Sequence, residues 1–422
     1  MPTVSTRLKA RCSPLVLGTS WALTVTLPIT LTTTLAAANP ADFYKGKTVT
    51  YIVATSPGGS YDLYGRLIAD FMQKQLPGSK FVVKNVPGAG HIIGANAIYA
   101  AKPDGLTIGT FNTGLIYGQM MGQEAVKFDL TKMSWVGKAA SEPRVIMVSA
   151  QSPIKTFEDL KASKELVPFA TSGVGSSSNV ETKLLADTLK LPIKIIPSYS
   201  GNEGEMAMRR GEVFGGVGSR SSWEGFVKNG YGRFIVQIGG KDKDIPQLSK
   251  FVTDPSAKAA LALVQSQGDL SRLTAGPPGI PAERLEVLRA AYKRAMADKG
   301  LQARAAKVGL PLDPGYGDDV LKQVKLALAQ SPETIALLAK TQDLKPPTLK
   351  AAGPLIEVND KGRAIVFAGS DQQPVQSKPS GSRTRITIDG KDATRGDLKV
   401  GMNCEISYTA GGDNEPVEIA CK

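Results

Sequence analysis

The chain has 422 residues, 42% of them hydrophobic, and a formal net charge of +13, so it can fill real cores and is no low-complexity polymer. The charge does not point to nucleic acid, because no basic run with interleaved aromatics is present. Residues 1–38 carry three basic residues and no acid, and residues 351–422 carry nine basic and ten acidic ones. The body between them holds a balance of +11, which suits an anionic ligand or an anionic surface.

In chain order, Arg7, Lys9 and Arg11 precede an apolar run from about Leu15 to Leu35, which ends in Ala36-Ala37-Ala38. This three-part grammar predicts a secretory signal peptide over 1–38, cleaved to leave Asn39 at the mature N-terminus in the periplasm. Pro14, Pro28 and many threonines argue against a membrane anchor, and Cys12 lies too early for a lipoprotein. No later stretch approaches the roughly 18 apolar residues a membrane span needs.

Thr48–Val53 is β-branched and aromatic and reads as a strand, broken by Pro57-Gly58-Gly59. Leu63, Leu67, Phe71 and Met72 share one helical face, and Pro77-Gly78 ends that helix. Phe81-Val82-Val83 is a second strand. It runs through Asn85-Val86-Pro87-Gly88-Ala89-Gly90 into a helix marked by Ile92, Ile93, Ala97 and Ile98. Pro103-Asp104-Gly105 then turns into a third strand, Leu106–Thr110. Alternation of this kind implies parallel strands with right-handed crossovers.

Each glycine-rich loop follows a strand and opens a helix. Glycine lets backbone N–H groups approach a ligand, and a helix N-terminus adds unpaired donors and partial positive charge. Two such loops at one sheet edge make an anion site. Neither matches a dinucleotide or Walker pattern, so no cofactor is expected.

Ser56-Pro57-Gly58-Gly59-Ser60-Tyr61-Asp62 with Arg66, Asn85–Gly90, Pro103–Thr107 and Ala275–Pro281 stand in family order. Together they resemble the Bug-type substrate-binding receptors of tripartite tricarboxylate transporters, over roughly residues 42–345. The resemblance implies an α/β, periplasmic-binding-protein type II-like two-lobe (Venus flytrap) fold. It also implies a small carboxylate held mostly by loop amides and hydroxyls, and a membrane permease as partner. The matching ligand positions are Gly58, Gly59, Ser60 and Asp62, then Pro87, Gly88, Ala89 and Gly90. Asp62 is expected to fix its loop through backbone bonds. His91, the single histidine, stands where a third glycine is common; it is either a ligand contact or an exposed loop residue.

The first lobe is expected over 39–145, completed by 240–350, and the second over 146–239. Thr156-Phe157-Glu158-Asp159 has the form of a capping box. Phe169-Ala170-Thr171 leads into Ser172-Gly173-Val174-Gly175-Ser176-Ser177, and Val180, Leu184, Leu185 and Leu189 follow at helical spacing. Ser172, Gly173, Gly175, Ser176 and Ser177 are therefore candidate ligand contacts. So, by the resemblance, are Tyr199 and Gly201. Val213–Ser219 lacks the acidic residue many relatives carry there, and Arg220 follows. That absence disfavours a ligand with a free ammonium.

Pro281 fits a first helical turn, Leu285, Leu288 and Tyr292 form a core stripe, and Gly300 is expected to end that helix. From about Leu355 short β runs alternate with turns, and Asp389-Gly390 signals a hairpin. A small all-β domain over 351–422 is expected, with Cys404 and Cys421 as its disulfide in an oxidising compartment. The same features admit an envelope interaction or sensory protein that uses this β domain to dock. An exported hydrolase has less support: no G-x-S-x-G is present, and one histidine leaves little room for a triad. No catalytic residue and no metal site are expected, nucleic acid is no partner, and the protein is expected to be a monomer.

Overall fold

The structure, a computed structural model, describes residues 39–199 and 202–422. The expected signal peptide lies outside the described residues. Strand β1 (Thr48–Val53), helix α1 (Ser60–Gln75), β2 (Lys80–Asn85), α2 (Ile92–Tyr99) and β3 (Thr107–Phe111) follow the predicted alternation. β1 pairs in parallel with β2 on one side and β3 on the other. Val49, Tyr51 and Val53 of β1 are buried against Leu67, Ile68, Phe71 and Met72 of α1. Leu63, expected on that same helical face, is 42% exposed and stands at the cleft instead.

Next come α3 (Gly114–Met120), β4 (Ser134–Lys138), β5 (Arg144–Ser149), α4 (Phe157–Ala162), β6 (Val167–Ala170), α5 (Ser177–Leu189) and β7 (Ile193–Ile196). They are followed by α6 (Glu203–Arg210), β8 (Gly215–Ser219), α7 (Arg220–Lys228), β9 (Gly232–Ile238), α8 (Pro255–Gly268) and β10 (Leu273–Gly276). The body closes with α9 (Ala282–Ala297), α10 (Lys299–Lys307), β11 (Gly315–Tyr316), α11 (Gly317–Leu328) and α12 (Pro332–Thr341). The first sheet has the order β11-β4-β10-β3-β1-β2 and the second β7-β6-β8-β5-β9. This is the two-lobe α/β architecture.

The second sheet begins at Arg144, two residues before Ile146. Helix α8 packs on α5, β5 and β9, and α12 packs on α5 and α8. Part of 240–350 therefore serves the second lobe and not the first. Those late helices bring Ala257, Ala260, Leu261 and Val264 into the core around β5 and β9. The chain crosses between the sheets twice, after β4 and before β10, and the two crossings lie side by side. Ala139 N donates to Arg272 O at 3.1 Å and Glu142 N to Gly268 O at 2.9 Å.

Thr156 and Asp159 form the predicted capping box of α4. Gly300 does not end α9. That helix stops at Ala297, and Asp298 caps a new one by accepting from Gly300 N at 2.7 Å, so Gly300 lies inside α10.

Beyond the body lie β12 (Thr348–Pro354), β13 (Glu357–Asn359), β14 (Ala364–Ala368), β15 (Pro374–Ser377), β16 (Arg385–Ile388), β17 (Lys391–Asp392), β18 (Asn403–Thr409) and β19 (Pro416–Cys421). They form a five-stranded and a three-stranded sheet around Leu355, Ile365, Phe367, Ile406, Tyr408 and Ile419. Asp389 and Gly390 take the left-handed backbone of the predicted hairpin turn between β16 and β17. Cys404 and Cys421 face each other across β18 and β19 and are disulfide-bonded. Closing so short a loop contributes about 3 kcal/mol in the chain-entropy model. Asn414 ties this region to the body through Glu333 of α12 at 3.3 Å.

Candidate ligand-binding cleft

A cavity of about 320 Å³ lies between the lobes. The N-termini of four helices meet there: Ser60 and Tyr61 of α1, Ser177 and Ser178 of α5, Gly204 and Glu205 of α6, and Ser221 and Ser222 of α7 all line it. Helix N-termini carry partial positive charge and orphan amides, so four of them facing one space favour an anion. The lobes touch around it, where Ser60 Oγ and Ser222 Oγ are 3.0 Å apart.

On the first-lobe side, the loop before α1 is held by one buried carboxylate. Asp62 accepts from Gly58 N at 3.1 Å, from Arg66 Nε at 3.0 Å and from Asn85 Nδ2 at 2.9 Å. Burial alone would raise the Asp62 carboxyl, but these bonds outweigh it and hold it below its ordinary value. Asp62 itself does not line the cavity; it positions Gly58, Gly59 and Ser60, which do.

On the second-lobe side stand charged and aromatic side chains. Arg144 lines the cavity and grips Glu181 through both Nε, at 2.7 Å, and Nη2. Its Nη1 donates to Ser219 Oγ at 2.6 Å. Burial by itself would lower the guanidinium pKa, but the Glu181 carboxylate keeps Arg144 charged. A second buried pair sits at the crossings. Arg272 Nε donates to Glu142 Oε1 at 3.1 Å, and the guanidinium lies 4.1 Å from the Tyr61 ring. Tyr61 lines the cavity, so the crossings and the cleft share a contact.

Three buried polar atoms on lining residues have no protein partner: Thr55 Oγ1, His91 Nδ1 and Trp223 Nε1. Leaving such groups unpaired costs about 1–3 kcal/mol each, which a polar ligand can recover. Burial pushes His91 down to about 4, so its ring is neutral at neutral pH. Its Nε2 is 3.4 Å from Asn112 Nδ2.

Of the residues the sequence singled out, Gly58, Gly59, Ser60, His91, Ser172, Ser177 and Tyr199 line the cavity. Gly201 lies outside the described residues. Asp62, Gly88, Ala89, Gly90, Gly173, Gly175 and Ser176 are not part of the lining. Gly90 serves another purpose: a Cβ there would fall 2.5 Å from Val174 O and 2.6 Å from Ser176 N, so the missing side chain lets the two lobes' loops meet. Ser176 caps α5, with its Oγ accepting from Asn179 N at 3.3 Å.

Sequence reasoning missed Thr55, Asn112, Arg144, Glu205 and Trp223, all of which line the cavity. The glycines of β8 hint at one of them, because a Cβ on Gly218 would fall 2.8 Å from Trp223 Nε1. That strand is bare so that the indole can lie against it. Arg220 does not face the cavity; it pairs with Glu224 at 3.1 Å and Asp242 at 2.6 Å. Val213–Ser219 brings no acid to the cavity, but Glu205 of α6 lines it from elsewhere. Among the described residues no group of three or more His, Cys, Asp or Glu could hold a metal, and no helix is long and apolar enough to cross a membrane.

Residues 65–331 match the TctC family, the tripartite tricarboxylate transporter family receptor. The chain belongs to this receptor family. Among curated relatives, a UPF0065 protein of Agrobacterium vitis is 31% identical over 181 residues, or 42% of this chain and 52% of that protein. The chain thus spans about half the length of the first curated relatives it matches. Among solved structures, malate-bound MatC of Rhodopseudomonas palustris superposes with a TM-score of 0.55 at 22% identity, over 70% of this chain and 98% of that one. An adipate-bound protein of R. palustris does so with a TM-score of 0.57 at 20% identity, over 70% of this chain and 97% of that one. The receptor fold is common to all three, and the C-terminal β sheets extend this chain beyond the matched family segment.

Proposed function

We propose that this receptor works in the periplasm, after loss of residues 1–38. There it binds a small mono- or dicarboxylate between its lobes and delivers it to the permease of a tripartite tricarboxylate-type transporter. The observation that carries this reading is the convergence of the α1, α5 and α7 N-termini on one cavity. Donors fixed by the fold lose little entropy on binding, so they hold an oxyanion without a free arginine. Arg144 stiffens the wall through Glu181 and leaves the anion to amides and hydroxyls. Contact between the lobes excludes water and strengthens those bonds; parting them at the paired crossings releases the ligand. The malate and adipate bound by the two structural neighbours are of the same chemical class.

A ligand that binds only the folded state stabilises it by about 2.7 kcal/mol at a hundred times its Kd. A thermal-shift panel of small carboxylates should therefore give discrete hits, while the corresponding amides give none. A folded, ligand-free protein that shows neither shift nor calorimetric heat across the panel would hand the fold over to the interaction-protein reading.

A further inference from the structure

We infer that the ligand carries an ammonium group as well as a carboxylate, with Glu205 as the residue that selects it. The inference rests on the receptor reading above and concerns the same cavity. Among the described lining residues only Arg144 has a strongly basic side chain and only Glu205 a carboxyl group. Arg144 is already paired: the Glu181 carboxylate matches its charge, and its Nη1 donates to Ser219. That leaves Glu205, which has no hydrogen-bond or ion-pair partner among the described residues. Burial is the one influence on its carboxyl, and it pushes the pKa up. A partly desolvated carboxylate without a cation is unfavourable by itself and favourable once a cation arrives.

The surroundings fit a cation. Gly204, the residue before Glu205, leaves open the space beside Tyr199 and Trp223 that a side chain would fill. A Cβ on it would lie 3.7 Å from Tyr199 Cβ and 3.9 Å from Trp223 Cη2. Tyr199 and Trp223 both line the cavity with Glu205. Aromatic side chains and a carboxyl group that line one cavity are a setting that attracts an ammonium. A second carboxylate beside Glu205 would meet like charge and no unpaired cation. The ligand class is therefore a small amino carboxylate whose ammonium pairs with Glu205.

The test is a calorimetric titration with three matched pairs that differ only in the second group: γ-aminobutyrate against glutarate, β-alanine against succinate, and L-alanine against methylmalonate. The wild-type protein should bind at least one amino acid about tenfold or more tightly than its diacid partner. Glu205→Gln keeps the shape and removes the charge. It should weaken that amino acid by tenfold or more and leave the diacid unchanged or tighter. If the wild type binds the diacids and the Glu205→Gln variant keeps the same ratio within each pair, the ammonium assignment is wrong and the carboxylate receptor stands. If neither class binds the folded, ligand-free protein, both fall.

Discussion

The two walls of the cleft are built from different material. The first lobe offers backbone and hydroxyls, Gly58, Gly59, Ser60 and Thr55, with Asp62 shaping the loop from behind. The second offers hydroxyls and helix N-termini as well, at Ser177, Ser178, Ser221 and Ser222, and adds Arg144, Tyr199, Glu205 and Trp223, whose side chains line the cavity. Backbone amides read the sign of a charge and little else. Side chains distinguish one ligand from another, because their size and charge vary freely without disturbing the strand beneath. On the reading proposed above, both walls supply affinity and the second adds identity.

The largest effect should come from the second wall. Arg144→Met would leave Glu181, whose side chain is 0% exposed, without its cation. Breaking a buried pair from one side costs about 3–5 kcal/mol, to be read as a lower midpoint in denaturant unfolding. A loss below about 1 kcal/mol would mean that the pair does not hold that wall.

The first wall should instead be neutral and sensitive to acid. The His91 pKa falls from 6.5 free to about 4 when folded, so between those values the unfolded chain binds more protons than the native one. Stability is then lost as pH drops from about 6.5 toward 4, by at most about 3 kcal/mol. His91→Asn suits the left-handed backbone at that position and should flatten this slope relative to wild type. An unchanged slope would show that His91 is not the group responsible.

Much of the fold was legible because its signals are local. The strand, glycine loop and helix of each half, the Thr156 capping box and the Asp389-Gly390 turn all lie within a few residues of the elements they announce. The cleft was legible where a loop both begins a helix and faces the ligand, as at Gly58–Ser60 and at Ser177. It was not legible where the contact is made at a distance. Gly90 meets Val174 and Ser176 across the lobes, and no spacing in the chain announces that approach. Arg144 is disguised by a partner in a later helix, Glu181, and the role of Arg220 was not legible because its partner Asp242 is not near it in the chain. Glu205 escaped notice because an acid in the first turn of a helix reads as ordinary dipole compensation. The late helices of the second lobe went astray for a related reason: an apolar face says that a helix is buried, not which sheet buries it.

The central claim is that the amides of the first-lobe loop hold a carboxylate inside the cleft. Gly59 tests it directly, since its backbone, φ −84° and ψ 171°, is one that valine adopts without strain. Gly59→Val should therefore fold normally while placing a branched side chain against the ligand. In calorimetry with the best carboxylate from the panel, the wild type should bind one equivalent. The variant should bind at least about a hundredfold more weakly, a difference of about 2.7 kcal/mol. Equal affinity in the folded variant would contradict the account and place the carboxylate elsewhere.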